Sequence, residues 1–276
     1  MKSLFVLVLL GIGAISSGQE LYVFSEPASN LPAKSLSVKL QHHLVTSNYR
    51  SAGLSHRLMP QVYAGINKKL MVGAGATFSN MHTSAFRYES FNVYTKYRFL
   101  SNEGLHKHFR MAAFADFSGT RSPFHFDEIN LMGDKGGIEA GIIATQLVNK
   151  LAVSATVSHT QVLHSSRTNK VLYIPARNYQ SINYSLSAGY LVLPKEYTDY
   201  RQTNFNVYLE VLGQQTLDRS RYFVDLAPAF QFIFNSNAKL NIGYRFQLGG
   251  TMDRMSSNSW QLSFERTLLN AFGKNK

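Results

Sequence analysis

Nine charged side chains of this 276-residue sequence, Lys39, Arg57, Arg110, Asp116, Glu139, Glu210, Asp225, Arg245 and Glu265, fall on the polar positions of segments whose apolar residues occupy every second place. Alternate side chains of a strand point to opposite faces, so all nine share one face. Glu210, Arg245 and Glu265 have similar expected depths, with Asp225 between them, and carboxylates and guanidinium groups so arranged can pair across an enclosed space. Two roles fit such a face. One is a polar constriction that screens solutes by size and charge; the other is an ion-pair network that fills and stiffens an interior.

Other chemistry is thinner. Nine histidines occur, at 42, 43, 56, 82, 106, 108, 125, 159 and 164. His106 and His108, beside an expected periplasmic turn, have no nearby carboxylate or third ligand at a recognisable metal spacing, and cysteine is absent, so no metal and no cofactor is expected. His164, Ser166 and Asn169 form the nearest approach to a hydrolytic trio, without the strained turn that presents a nucleophile. A barrel-embedded lipid hydrolase is therefore the weakest of the functional readings. Gly73, Gly75, Gly141 and Gly243 lie inside alternating segments, not in a phosphate-binding loop, and there allow close packing.

The elements that must position these residues are strands. Period-two alternation runs through Leu36, Val38 and Leu40; Leu58, Val62, Ala64 and Ile66; Leu70 to Phe78; Phe91 to Phe99; Phe109 to Phe117; Ile138 to Ala144; and Leu151 to Val157. It continues through Ile182 to Tyr190, Phe205 to Val211, Tyr222 to Phe232, Leu240 to Leu248, and Trp260, Leu262 and Phe264. These make about twelve strands, each near the roughly ten residues that cross a bilayer at a tilt. Joints alternate between short, at 67–68, 148–150 and 235–237, and long, at 47–55, 119–136, 164–178 and 250–257. Short periplasmic turns and long external loops give that rhythm, which places both termini in the periplasm. The connection 194–203 is longer than the scheme prefers. The expected fold is an all-β, antiparallel up-and-down transmembrane barrel over residues 33–272.

The polar face separates a membrane barrel from a soluble sandwich. Ala152, Ser154, Thr156, Ser158 and Thr160 carry no charge, nor do Ser181, Asn183, Ser185, Ser187 and Gly189. Small neutral hydrogen-bonding groups suit a narrow lumen, while the apolar opposite face suits lipid. Aromatics such as Phe99, Phe117, Tyr190, Tyr222 and Trp260 gather toward strand ends, as interfacial girdles do. Charged residues make up only 16% of the chain, below the quarter or so usual in soluble domains, which agrees with a surface not wholly wetted. The net charge of +12 is scattered without a basic run, so nucleic acid is not an expected partner; lipid and a small polar solute are.

Lys2, the apolar run 4–15 and the small residues Ser16, Ser17 and Gly18 read as a signal peptide over residues 1–18. Residues 19–32 then form an N-terminal periplasmic segment, expected as a plain extension, with lumen plugging and contact with a periplasmic partner as alternatives. Pro60 and Pro228 fall inside strands and predict bulges or shifted boundaries. Arg266 has lipid-face parity and must snorkel at the interface.

Several segments carry a resemblance: LYVFSEPASNLPAK at 21–34, KYRFLSNEG at 96–104, HFRMAAF at 108–114, ATQLVNK at 144–150, LPKEY at 193–197 and GYRF at 243–246. Together they resemble a family of uncharacterised outer-membrane barrel proteins of Bacteroidota. The resemblance implies fold and location and no activity. Passage of a small polar solute through a partly filled lumen is the leading expectation. A non-conducting structural or interaction barrel with partner-binding loops is the alternative. A dozen strands falls between filled small barrels and open porins of about 16 or more, which favours a structural role for the inward charges.

Overall fold

The computed structural model describes residues 22–46, 54–81, 85–122, 126–163, 167, 168, 171, 172, 180–196, 199 and 201–273. The alternating segments are twelve long strands in one closed antiparallel barrel. They are β1 (Ser35–Thr46), β2 (Leu54–Gly65), β3 (Leu70–Ser79), β4 (Arg87–Glu103), β5 (Lys107–Thr120), β6 (Gly137–Val148) and β7 (Leu151–Val162), then β10 (Gln180–Leu193), β11 (Asn204–Thr216), β12 (Tyr222–Phe234), β13 (Ala238–Gly250) and β14 (Asn258–Leu268). Between β7 and β10 the chain makes a two-residue pairing of β8 (Arg167–Thr168) with β9 (Val171–Leu172), separate from the wall. Every wall strand pairs with its neighbours in the chain, and β1 closes on β14 from Leu36↔Leu268 to Val45↔Ser259. Closure leaves no strand edge unpaired, the condition under which a sheet tolerates hydrocarbon. Among the described residues there is no helix.

Alternation sorts the side chains as the strand period requires. Val38, Leu40, Val93, Ile142, Val157, Leu186, Leu209, Phe230, Leu262 and Phe264 are exposed on the outer face, whereas Ser37, Gln41, Thr145, Ser154, Ser187, Gln231 and Ser263 are buried inside. Aromatics stack on the outer face toward both ends. Phe205 meets Phe232 with ring centres 5.0 Å apart at the short-turn end, and Tyr244 meets Trp260 at 4.7 Å toward the loop end. Arg266 is exposed two residues before the end of β14, within reach of an interface.

Pro60 and Pro228 produce neither bulges nor shifted boundaries. Pro60 pairs with Leu40, and Pro228 with Leu209. On the other side of each strand, pairing lapses and resumes in unchanged register, between Leu58↔Phe78 and Gln61↔Gly75 and between Leu226↔Phe246 and Ala229↔Gly243. A proline lacks only its own N–H, so the loss stays on one side. The irregular registers fall elsewhere, at Thr77/Phe78, Arg98/Leu100, Leu191/Leu193 and Val224/Asp225.

Candidate functional site

The lumen is filled from both ends by the chain itself. Residues 22–32, expected as a plain extension, lie inside it. Glu210 of β11 is fully buried, and its carboxylate accepts the backbone N–H groups of Val23, Phe24 and Ser25 at 2.9, 3.0 and 2.9 Å. These donors satisfy an anion that burial would otherwise leave unsolvated. Thr145 accepts the N–H of Ala28 at 2.9 Å, and Gln261 donates to the carbonyl of Val23 at 2.7 Å. The segment's apolar residues sink into the wall: Tyr22 and Val23 pack with Leu147, Ala152, Tyr208 and Ala229, and Phe24 joins them. Phe24 fits because residue 243 is glycine; a Cβ there would stand 2.5 Å from its ring.

From the loop end, residues 126–136 fold inward. Gln214 of β11 exchanges two hydrogen bonds with the backbone of Ile129, both 2.8 Å, and Ser118 donates to the carbonyl of Leu131 at 2.6 Å. The loop's acids meet wall cations. Arg57 pairs with Asp134. Arg254, on the connection between β13 and β14, makes a two-pronged pair with the fully buried Asp225, both contacts 2.8 Å, and reaches Glu128 at 3.1 Å. Arg245 pairs with the same Asp225 and lies 3.7 Å from Glu128. Burial works to lower the Arg254 pKa, yet Glu128 and Asp225 hold it above the ordinary arginine value. Burial also pushes the Lys135 ammonium down to about 8, against the pull of Asp134, Asp127 and Glu128.

The nine inward charges therefore occupy three levels. Arg57, Asp225 and Arg245 hold the loop-end segment. Asp116 and Glu139 line the central cavity, and Lys39, opposite Glu265 in the register of β1 and β14, borders it from the short-turn side. Glu210 seats the N-terminal segment, while Arg110 donates to Ser29 at 2.9 Å and Glu265 pairs with Lys239 at 3.1 Å near the short-turn end. Glu210, Arg245 and Glu265 do not form one network. The register of β13 and β14 sets Glu265 opposite Lys239 and Arg245 opposite Ser259, six residues apart on β13, or roughly 20 Å at about 3.3 Å per residue.

Strand parity alone leads to two cations absent from the sequence reading, Lys96 between outward Val93 and Tyr97, and Lys239 beside outward Leu240. Lys96 donates to the carbonyl of Pro27 at 2.9 Å and reaches Glu26 at 3.4 Å. Arg254, Glu128 and Asp134 carry no parity signal, because they lie outside the strands. His108 does have a carboxylate neighbour, Glu103, contrary to expectation; their strands pair directly, Glu103↔His108. His42 and His56 stack on the outer face at 5.4 Å. Among the described residues no three metal-binding side chains cluster. Residues 1–18, expected as a signal peptide, residues 19–21, His82, His125, His164, Ser166 and Asn169 lie outside the described residues.

Two cavities flank residues 22–32. The larger, of about 320 Å³, lies between that segment and the inward loop, and the smaller, of about 190 Å³, opens at the short-turn end. Glu26, Lys39 and Tyr63 line both.

A closed twelve-stranded antiparallel barrel with an occupied lumen is the class this geometry defines. Among solved structures the chain is similar to the COG4313 outer membrane channel from Pseudomonas putida F1, with a TM-score of 0.62 and 11% identity over 87% of this chain and 98% of that one. It is similar also to the NanC porin, at 0.53 and 9% over 84% and 100%, and the KdgM porin, at 0.52 and 8% over 83% and 98%. At such identity the likeness is one of fold. No protein-family profile matches the chain, and no curated protein matches its sequence.

Proposed function

We propose that the chain is an outer-membrane channel for small polar solutes, exported through a leader at residues 1–18 and related to the Bacteroidota barrels that its segments resemble. The observation that carries this reading is the shared lining of the two cavities. Glu26, Lys39 and Tyr63 bound both of them, so a path past residues 22–32 needs only local movement at this point. Polar walls throughout the lumen and an apolar outer belt support the same reading, as does the fold shared with channels and porins.

Planar-bilayer recording on refolded protein tests it. Discrete conductance that rises when residues 19–32 are deleted supports a channel narrowed by its own N-terminal segment. A sealed bilayer for both forms, at all voltages, removes it. That second outcome favours the non-conducting barrel, a reading supported by the Glu210 seat and the Arg254 lock, and affinity capture from native membranes then seeks its partner.

A further inference from the structure

Asp116 on β5 and Glu139 on β6 stand directly opposite each other in the strand register. Side chains so placed have Cβ atoms roughly 4.5–5.5 Å apart, and like charges in that position repel. Neither carboxylate has a cation within 4.0 Å among the described residues. Their partners are neutral: Asn92 donates to Asp116 at 3.2 Å, and Ser158 and Asn183 donate to Glu139 at 2.5 and 3.1 Å. Elsewhere in the lumen the acids are answered, Asp225 by two arginines, Glu265 by Lys239, and Glu210 by three N–H groups. This pair faces the larger cavity instead.

The same register row continues from Asp116 to Tyr94 on β4, then through Gly73 on β3 to Tyr63 on β2. The Tyr63 ring lies over Gly73, where a Cβ would stand 2.3 Å away, and so meets Tyr94 edge-on at 6.2 Å. Phe114 flanks Tyr94 at 5.9 Å. The result is an aromatic wall continuing into a diacid wall. Three buried polar atoms on the same cavity have no hydrogen-bond partner among the described residues, the hydroxyl of Tyr94, Oε1 of Gln61 and the hydroxyl of Thr156; Tyr94 and Gln61 are 9% and 3% exposed. Buried polar groups left unpaired in a hollow mark where a ligand's own groups complete the bonding. The cavity's cations stand away from the diacid: Lys39 lies on β1 opposite Gln61, four strands from Asp116, and Arg245 on β13 is committed to Asp225.

We infer that the central cavity is a binding site for a small organic ammonium ion, held between Asp116 and Glu139 with its hydrocarbon against Tyr94, Tyr63 and Phe114. An ammonium brings up to three donors to a wall rich in acceptors, and its charge relieves the carboxylate repulsion. Aromatic faces add cation–π attraction in a site shielded from water. A cavity of about 320 Å³ takes a single small molecule. This assignment rests on the channel reading for its role in transport, since it names the class of solute admitted.

Equilibrium binding tests it independently of conduction. Calorimetry on the refolded full chain uses three probes of one shape, 2-phenylethylammonium, 2-phenylethanol and 3-phenylpropionate, with calcium and potassium chloride as further arms. Saturable one-to-one binding of the ammonium, at least roughly tenfold tighter than the alcohol, with no binding of the acid, is expected. The near-isosteric D116N/E139Q double variant should weaken ammonium binding by a further tenfold or more, and Tyr94→Phe by a few-fold. Equal affinity for ammonium and alcohol, affinity unchanged in the double variant, or displacement by calcium at stoichiometric binding overturns the assignment. The wild-type comparison needs no variant to fold. A sealed bilayer with intact ammonium binding sinks the channel reading alone; conduction without ammonium binding sinks this site alone.

Discussion

The carboxylate of Glu210 accepts the backbone N–H of Val23 at 2.9 Å, joining residues 187 positions apart in the chain. Two further N–H groups and the Ser187 hydroxyl complete the same acceptor. Glu210→Gln replaces one acceptor oxygen with an NH2 group that faces those donors. Hydrogen bonds to a charged group are worth roughly 1.5–3 kcal/mol each, so unseating of residues 22–32 should become easier by about 2–4 kcal/mol. The native chain has no cysteine, so a Ser25→Cys reporter reads this cleanly. Its modification by a water-soluble maleimide should accelerate at least roughly tenfold in the Glu210→Gln background; an unchanged rate argues against the seat.

Gly243 offers a test that leaves charge alone. A Cβ at this position meets the Phe24 ring at 2.5 and 2.8 Å, whereas one at Gly249 meets nothing within 4 Å. Gly243→Ala should displace Phe24 at a cost of about 1–3 kcal/mol to the seated state, as overpacking does. Gly249→Ala should leave the same Ser25→Cys labelling rate where it was. Equal rates in the two variants contradict the packing.

Arg254→Ala removes the two-pronged partner of a fully buried Asp225. Breaking a buried pair from one side costs roughly 3–5 kcal/mol, softened here because Arg245 still touches Asp225. Loop 126–136 should loosen and become a protease site in intact proteoliposomes. Arg254→Lys should rescue poorly, since an ammonium cannot reproduce the paired fork. Full protection in the alanine variant would show that the loop is held by other contacts.

Lys135 makes the loop's packing depend on pH. Burial lowers its pKa from 10.5 to about 8, so between those values the unfastened loop binds more protons than the packed one. Packing is therefore strengthened as pH rises from about 8 toward 10.5, by at most roughly 3 kcal/mol, whereas below 8 the ammonium's burial penalty is fully present and no longer changes with pH. The carbon-13 shift of the Lys135 Cε should titrate near 8; a midpoint near 10.5 would mean that the ammonium is solvated.

The outer belt is testable at Leu186, central in β10 and 55% exposed. In a bilayer, Leu186→Arg should lower stability by about 2–4 kcal/mol in urea titrations from liposomes. Leu268→Arg, at the end of β14, should cost about 1 kcal/mol or less. Equal small effects would mean that the belt faces water.

The wall was readable because its information is local. Along β6, outward Ile138, Ala140, Ile142 and Ala144 sort against inward Glu139, Ile143 and Thr145 with no reference to distant residues, and the expected ends lie within three residues of those of β5 and within two of those of β12. What fills the lumen was not. Residues 22–32 mix Tyr22, Ser25, Glu26 and Pro27 without period, and their partners lie on β6, β11 and β14. Depth was the other blind spot. Parity places Arg245 and Glu265 on one face, but only the stagger of β13 against β14 reveals that one caps the loop and the other pairs with Lys239.

The contact between Gln261 and Val23 spans 238 positions, and it bears on the order of assembly. Residues 22–32 leave the ribosome ahead of every strand, yet their seat is built from Thr145, Glu210 and Gln261 and is complete only when β14 has met β1. The stretch synthesised earliest is thus lodged at the finish, and its shielding from protease can serve as a clock for the closing of the ring.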